Sequence, residues 1–210
     1  MTDQESRAAQ QASASEAAGR LFRAYERHCL TPGVDTLFET LNAMHSLNDR
    51  LRSAVDQDFH QIDEFVALKA LRNLTHHREE VRANVRVVPS PAMSDLIFLC
   101  IVRRDQVERA IESVDRRWRA TTKVACESKF HWYGQAVNIN PCLFNFMVHA
   151  YQLLMRFEVF PPMDAVKFFE DSYRLEEEHG LSHFVDGYLV SLAGDFDAVL
   201  SAVAAELPRP

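Results

Sequence analysis

The chain has 210 residues, 47% of them hydrophobic and 25% charged, with a net charge of −7. This is the composition of a globular chain that can bury a core of its own, as one domain or one domain with an extension. It argues against indiscriminate binding to nucleic acid, and no long apolar run free of charge offers a membrane span.

Residues 1–15 are rich in Gln, Ser, Ala and charge and are expected to be mobile or loosely helical. Residues 16–210 are read as a single α-helical domain. Its first helix runs from about Glu16 to His28, with Ala17, Leu21, Ala24 and Tyr25 on the inner stripe, and ends at Thr31-Pro32-Gly33. Asp35 or Thr36 begins a second. There Leu37, Leu41, Met44, Leu47, Leu51 and Val55 recur at steps of three and four. After a break near Gln57-Asp58, the apolar spacing of Ile62, Phe65, Val66, Leu68 and Leu71 predicts a helix over about 59–82. The two helices are expected to pack as an antiparallel pair.

Residues 84–102 break the helical rhythm. Val85, Val87 and Val88, then Pro89-Ser90-Pro91, then the run Leu96 to Val102 suggest two strands in a small β-hairpin. A buried helix from Ser94 is the rival, because periodicity does not separate the two over so short a run. Helix returns from Arg104 to Ser128. His131-Trp132-Tyr133-Gly134 and Asn138-Ile139-Asn140-Pro141 look like connections. An apolar helix spans Pro141 to Phe157, and another spans Ala165 to Glu178, stopping at His179-Gly180. Leu181 to Leu207 gives one or two more, interrupted near Gly194-Asp195. The expected fold is mainly α, a bundle of six to eight helices with the small hairpin.

The most informative stretch is Arg72-Asn73-Leu74-Thr75-His76-His77. It offers a guanidinium, a carboxamide and an imidazole within six residues. Arginine grips phosphate with a planar fork of donors, and histidine moves protons near neutral pH. On a helix, Asn73 and His77 share a face, as do Arg72 and His76. Arg72 and His77 stand roughly 140° apart. One copy therefore closes poorly around a phosphate unless the helix bends, whereas two copies about a twofold axis can converge.

The hexapeptide resembles the Arg-polar-x-x-x-His signature of HEPN domains (higher eukaryotes and prokaryotes nucleotide-binding), with Arg72, Asn73 and His77 at the motif positions and His76 as an extra histidine. The resemblance covers residues 36–82. It implies an α-helical homodimer and a metal-independent endoribonuclease, with RNA as substrate and no cofactor. His77 would act as general base or acid around the ribose 2′-hydroxyl. Arg72 would neutralise charge on the phosphorane, and Asn73 would orient His77 or donate to a phosphate oxygen. His76 would supply a second proton-transfer group, which the family pattern does not require. Family analogy also suggests a toxin or phage-defence role, with an antitoxin or regulatory protein as partner. The alternative is a non-catalytic helical module that binds a protein or nucleotide. An unrelated helical enzyme using a metal is a third class.

Other constellations carry less. Cys29, Cys100, Cys126 and Cys142 match no zinc spacing, and three of them sit in apolar or amphipathic runs and read as buried thiols, which with the lack of a secretion pattern at Met1 to Ser6 points to the cytoplasm. A metal site from His76, His77, Glu79 and Glu80 lacks a further ligand from another element. His131-Trp132-Tyr133 reads as a packed corner rather than a base-stacking platform. His149 and His183 read as hydrogen-bonded core residues. His45 and His60 flank the motif in sequence. The basic residues of 69–86 and 103–123 form either an RNA groove or salt-bridged helix faces.

Overall fold

The computed structural model describes residues 3–78, 81–89, 96–187 and 196–209. Among them are eight helices and a four-stranded antiparallel sheet, so the fold is mainly α with a small β element. Helix α1 spans Asp3–Leu30, α2 Val34–Val55 and α3 Asp63–His77. Strands β1 (Ala83–Pro89) and β2 (Leu96–Arg103) follow, then α4 (Arg104–Ser113) and α5 (Arg116–Lys129). Strands β3 (His131–Tyr133) and β4 (Ala136–Asn138) lead into α6 (Asn140–Arg156), α7 (Met163–His179) and α8 (Phe196–Ala205).

Four local results differ from the sequence reading. Residues 3–15, read as mobile or loosely helical, continue α1, whose start therefore lies well before Glu16; residues 4, 5 and 7–10 are exposed and Ala14 is fully buried, so packing begins near the end of this stretch. The motif helix is shorter than 59–82. Phe59 donates its N–H to the side-chain oxygen of buried Asn48 (2.9 Å), and Ile62 is extended, so α3 starts at Asp63. At its other end, Arg78 N–H closes on the carbonyl of Leu74, and Val81-Arg82 are not helical. The segment 104–128 is two helices, divided where Asp115 accepts the N–H of Arg117 as an N-cap. Residues 131–138 are a hairpin rather than connections, with Gly134 at φ 62 in its turn.

The sheet order is β1-β2-β4-β3. The hairpin expected at 84–102 is present, with Ala83 opposite Val102 and Pro89 opposite Leu96. The turn at Ser90-Pro91 lies outside the described residues, as do the break at Gly194-Asp195 and the side chains of Glu79 and Glu80. Asn138 joins the two hairpins to α6. Its buried Oδ1 accepts the N–H of Cys100 (3.0 Å) and of Asn140 (3.2 Å).

Helix α3 is the hub, packing against α2, α4, α5 and α6. Phe65, Leu68, Leu71 and Leu74 supply its buried stripe. The ring of Phe65 lies 5.5 Å from that of Phe59 and 5.9 Å from that of Phe146, a cluster of the kind that dominates core energetics. The motif therefore sits at the end of the hub helix, on the flank the core does not use. Cys100, Cys126 and Cys142 are buried free thiols and Cys29 is half-buried. No described helix is long and apolar enough to cross a membrane.

Candidate functional site

Burial of one side of α3 leaves Lys69, Arg72, Asn73 and Thr75 half-buried and His76 exposed. This flank faces α2, which runs antiparallel to α3: Arg72, late in α3, meets Asn42, early in α2. Arg72 Nε donates to Asn42 Oδ1 at 3.2 Å, and its Nη1 donates to Asn73 Oδ1 at 3.3 Å. Asn73 Oδ1 thus helps to orient the arginine, a contact beyond the two roles read from the sequence, orienting His77 or donating to a phosphate oxygen. Two of the five guanidinium N–H donors are used in these bonds, leaving a fork for a ligand. Burial lowers the pKa of Arg72, opposed by Asp49, but the group stays charged at any physiological pH.

Arg72, Thr75 and His76 line a cleft of about 410 Å³ together with Phe38 and Asn42 of α2. The structure thus brings Arg72 and His76 into one concavity, as their four-residue spacing requires. His77 is the last residue of α3; its side chain lies outside the described residues. Phe38 and Asn42 did not figure in the sequence reading. Their signal was the four-residue step itself, which places both on one flank of α2.

One turn along the seam the polar groups continue. His45 Nδ1 lies 3.4 Å from Asp49 Oδ2. Burial lowers the pKa of His45, the cations of Arg72 and Lys69 lower it further, and Asp49 opposes them. Lys69 Nζ contacts His60 Nε2 at 2.8 Å. An ammonium has donors only, so Nε2 must accept and the His60 proton sits on Nδ1. That nitrogen faces Asp58 Oδ2 at 3.1 Å, and Arg52 Nη2 donates to the same carboxylate at 2.8 Å. Burial works against the Asp58 carboxylate, yet the hydrogen bonds from Arg52 and His60 hold its pKa at about 2. Burial also lowers the pKa of Lys69, and the neighbouring Arg52 and Arg72 act in the same sense against Asp49 and Asp58.

The other constellations take structural roles. In the basic run 103–123, Arg103 and Arg109 pair with Asp105, Arg104 with Glu108, Arg119 with Glu112 and Lys123 with Glu127. That is a salt-bridged surface. Trp132 donates its indole N–H to the carbonyl of Cys126 (3.2 Å) and carries the Arg104 guanidinium on its ring. His183 stacks on Tyr173 and pairs with Glu176 (2.7 Å). His149 lies 3.6 Å from buried Glu64, which also accepts Lys129 at 2.9 Å, tying α6 and α5 to the start of α3.

No family model matches the chain, and no curated protein or solved structure matches it.

Proposed function

We propose that the cleft at the end of α3 is a phosphodiester site of HEPN type and that the chain is a metal-independent endoribonuclease. The observation that supports this best is the cleft itself. It holds Arg72 with donors to spare, and His76, beside the aromatic ring of Phe38. In this reading the ribose 2′-hydroxyl attacks the adjacent phosphorus and the 5′-oxygen leaves. Products then carry 2′,3′-cyclic phosphate, and DNA resists because it lacks the nucleophile. Arg72 stabilises the charge on the equatorial oxygens. His77 takes or gives the proton, and His76 is the second proton-transfer group. A second copy about a twofold axis brings both motifs to one phosphate. RNA cleavage of this kind would suit a toxin or phage-defence protein held in check by an antitoxin or regulatory partner, acting in the cytoplasm.

The test is cleavage of a fluorescent single-stranded RNA in EDTA. Wild type should cut. Arg72→Ala should lose roughly 10²–10³-fold in rate and His77→Ala roughly 10²–10⁴-fold. Cutting that persists in both variants sinks the assignment. One observation favours a second reading, a non-catalytic module: the bonds of Arg72 to Asn42 and Asn73 also pin α3 to α2. In that case a folded wild type does not cut, and Arg72→Ala lowers the melting temperature as its main effect.

A further inference from the structure

Lys69, Arg72 and His76 stand at spacings of three and four along one flank of α3, and Asn42, His45, Asp49 and Arg52 do the same along α2. The two rows face each other across the seam. Its charges are unbalanced. Arg52, Lys69 and Arg72 are cations, with the imidazoles of His45, His60 and His76 among them, against the carboxylates of Asp49 and Asp58. Asp58 is taken up by Arg52 and His60, and Asp49 lies against His45. Among the described residues, neither Lys69 nor Arg72 has a carboxylate within salt-bridge distance, although both are partly buried. The cations of 103–123 show the contrast, since most of them carry a carboxylate partner. Two desolvated like charges one helical turn apart cost free energy that an anion between them would offset.

The strip does not stop at Lys69. Arg52 also lines a second cleft, of about 620 Å³, with Gln4, Arg7 and Gln11 from α1 and the carboxylate of Asp56 just past α2. A cationic path therefore leads from the Arg72–His76 cleft over Lys69 to Arg52 and on to Arg7. Phe38 offers a ring for a base where the path meets the motif cleft.

We propose that the α2–α3 seam is a phosphate track for a single nucleic-acid strand. Lys69 and Arg72 share the phosphate next to the motif cleft; farther along, Arg7 takes a phosphate, and exposed Arg52, shared with Asp58, adds its remaining N–H donors. The track uses charge and not the 2′-hydroxyl, so it holds RNA and DNA strands alike. It rests on the reading of the motif cleft as a phosphodiester site, but not on cleavage there.

The experiment is fluorescence-anisotropy binding of a short 2′-O-methyl RNA strand, which cannot attack its own phosphate, across a salt series. Wild type should bind, with an affinity that falls linearly with salt on logarithmic axes. Lys69→Gln should weaken binding about tenfold at low salt and reduce the slope by ~0.7. Arg52→Gln should cause a smaller loss of the same kind. Lys69→Arg should restore most of the affinity, and Lys123→Gln on α5 should change nothing. Because Lys69 also holds His60, melting curves accompany each variant. If Lys69→Gln fails to fold, exposed Arg52 decides the matter. A wild type that does not bind, or Lys69→Gln and Arg52→Gln variants that keep the wild-type slope, would overturn the track. Cleavage of unmodified RNA in EDTA separates the two proposals. Binding that depends on Lys69 without cleavage removes the nuclease and leaves the track; cleavage with binding indifferent to Lys69 does the reverse.

Discussion

His28 is buried at the end of α1, with Nδ1 3.1 Å from the Thr36 hydroxyl, and burial lowers its pKa to about 4. An unfolded chain binds this proton near pH 6.5, so the folded state holds fewer protons between those values. Stability contributed by neutral His28 is complete above about pH 6.5, is lost as pH falls toward 4, and changes no further below. The loss is on the order of 3 kcal/mol. Urea midpoints at several pH values should show that fall in the wild type, and His28→Gln should flatten it; an unchanged slope would refute the assignment. Nothing in the sequence marked this histidine, because burial depends on how α2 returns over the end of α1. The motif shows the same divide. That Arg72 and His76 share a face was legible from their spacing. That Asn73 turns to the arginine was not, because it needs the position of Asn42, thirty residues earlier.

At the scale of elements, end signals decided what could be read. Gly180 stops α7 with a left-handed φ of 64°, and Pro141 stands in the first turn of α6, both as the sequence predicts. Asp115 was as clear a signal, but the basic run on either side of it masked the break between α4 and α5. Its carboxylate accepts the Arg117 N–H at 3.0 Å. Asp115→Ala should cost about 1 kcal/mol, whereas Asp115→Asn should cost much less; equal melting temperatures for all three proteins would show that the cap carries no weight. The second hairpin escaped notice for a different reason. Strands of three residues, His131–Tyr133 and Ala136–Asn138, are too short to display alternation. Their pairing is set by the edge of β2, where Ile101 meets Asn138 and Arg103 meets Ala136.

Across the whole molecule, α1 is fastened to the chain that follows α6. Gln11 donates to the carbonyl of Glu158 (3.0 Å), Ser15 donates to that of Phe160, and Arg23 reaches Asp164. Between these contacts Gly19 lies so close to Pro162 that an added Cβ would come within 2.8 Å of the proline ring. Gly19→Ala gains about 1 kcal/mol of helix propensity, but the rigid ring cannot swing aside, and overpacking costs typically 1–3 kcal/mol. The denaturation midpoint should fall; a rise would mean that the two segments part easily. The first fifteen residues, polar and alanine-rich, likewise gave no sign of the burial that Ala14 shows. Alanine and glycine reveal little about burial until the surface that covers them is known.

The same fastening sets a timetable for biosynthesis. Gln11 and Glu158 are 147 residues apart, and a ribosome adds about 5–20 residues per second. Helix α1 therefore waits about seven to thirty seconds for the segment that covers its second flank. Meanwhile α2, made next and packed along the first flank, is its shelter. The α1–α2 pair, which also lines the larger cleft and carries one wall of the motif cleft, is thus the part of the newborn chain with the longest exposure to chaperones and proteases.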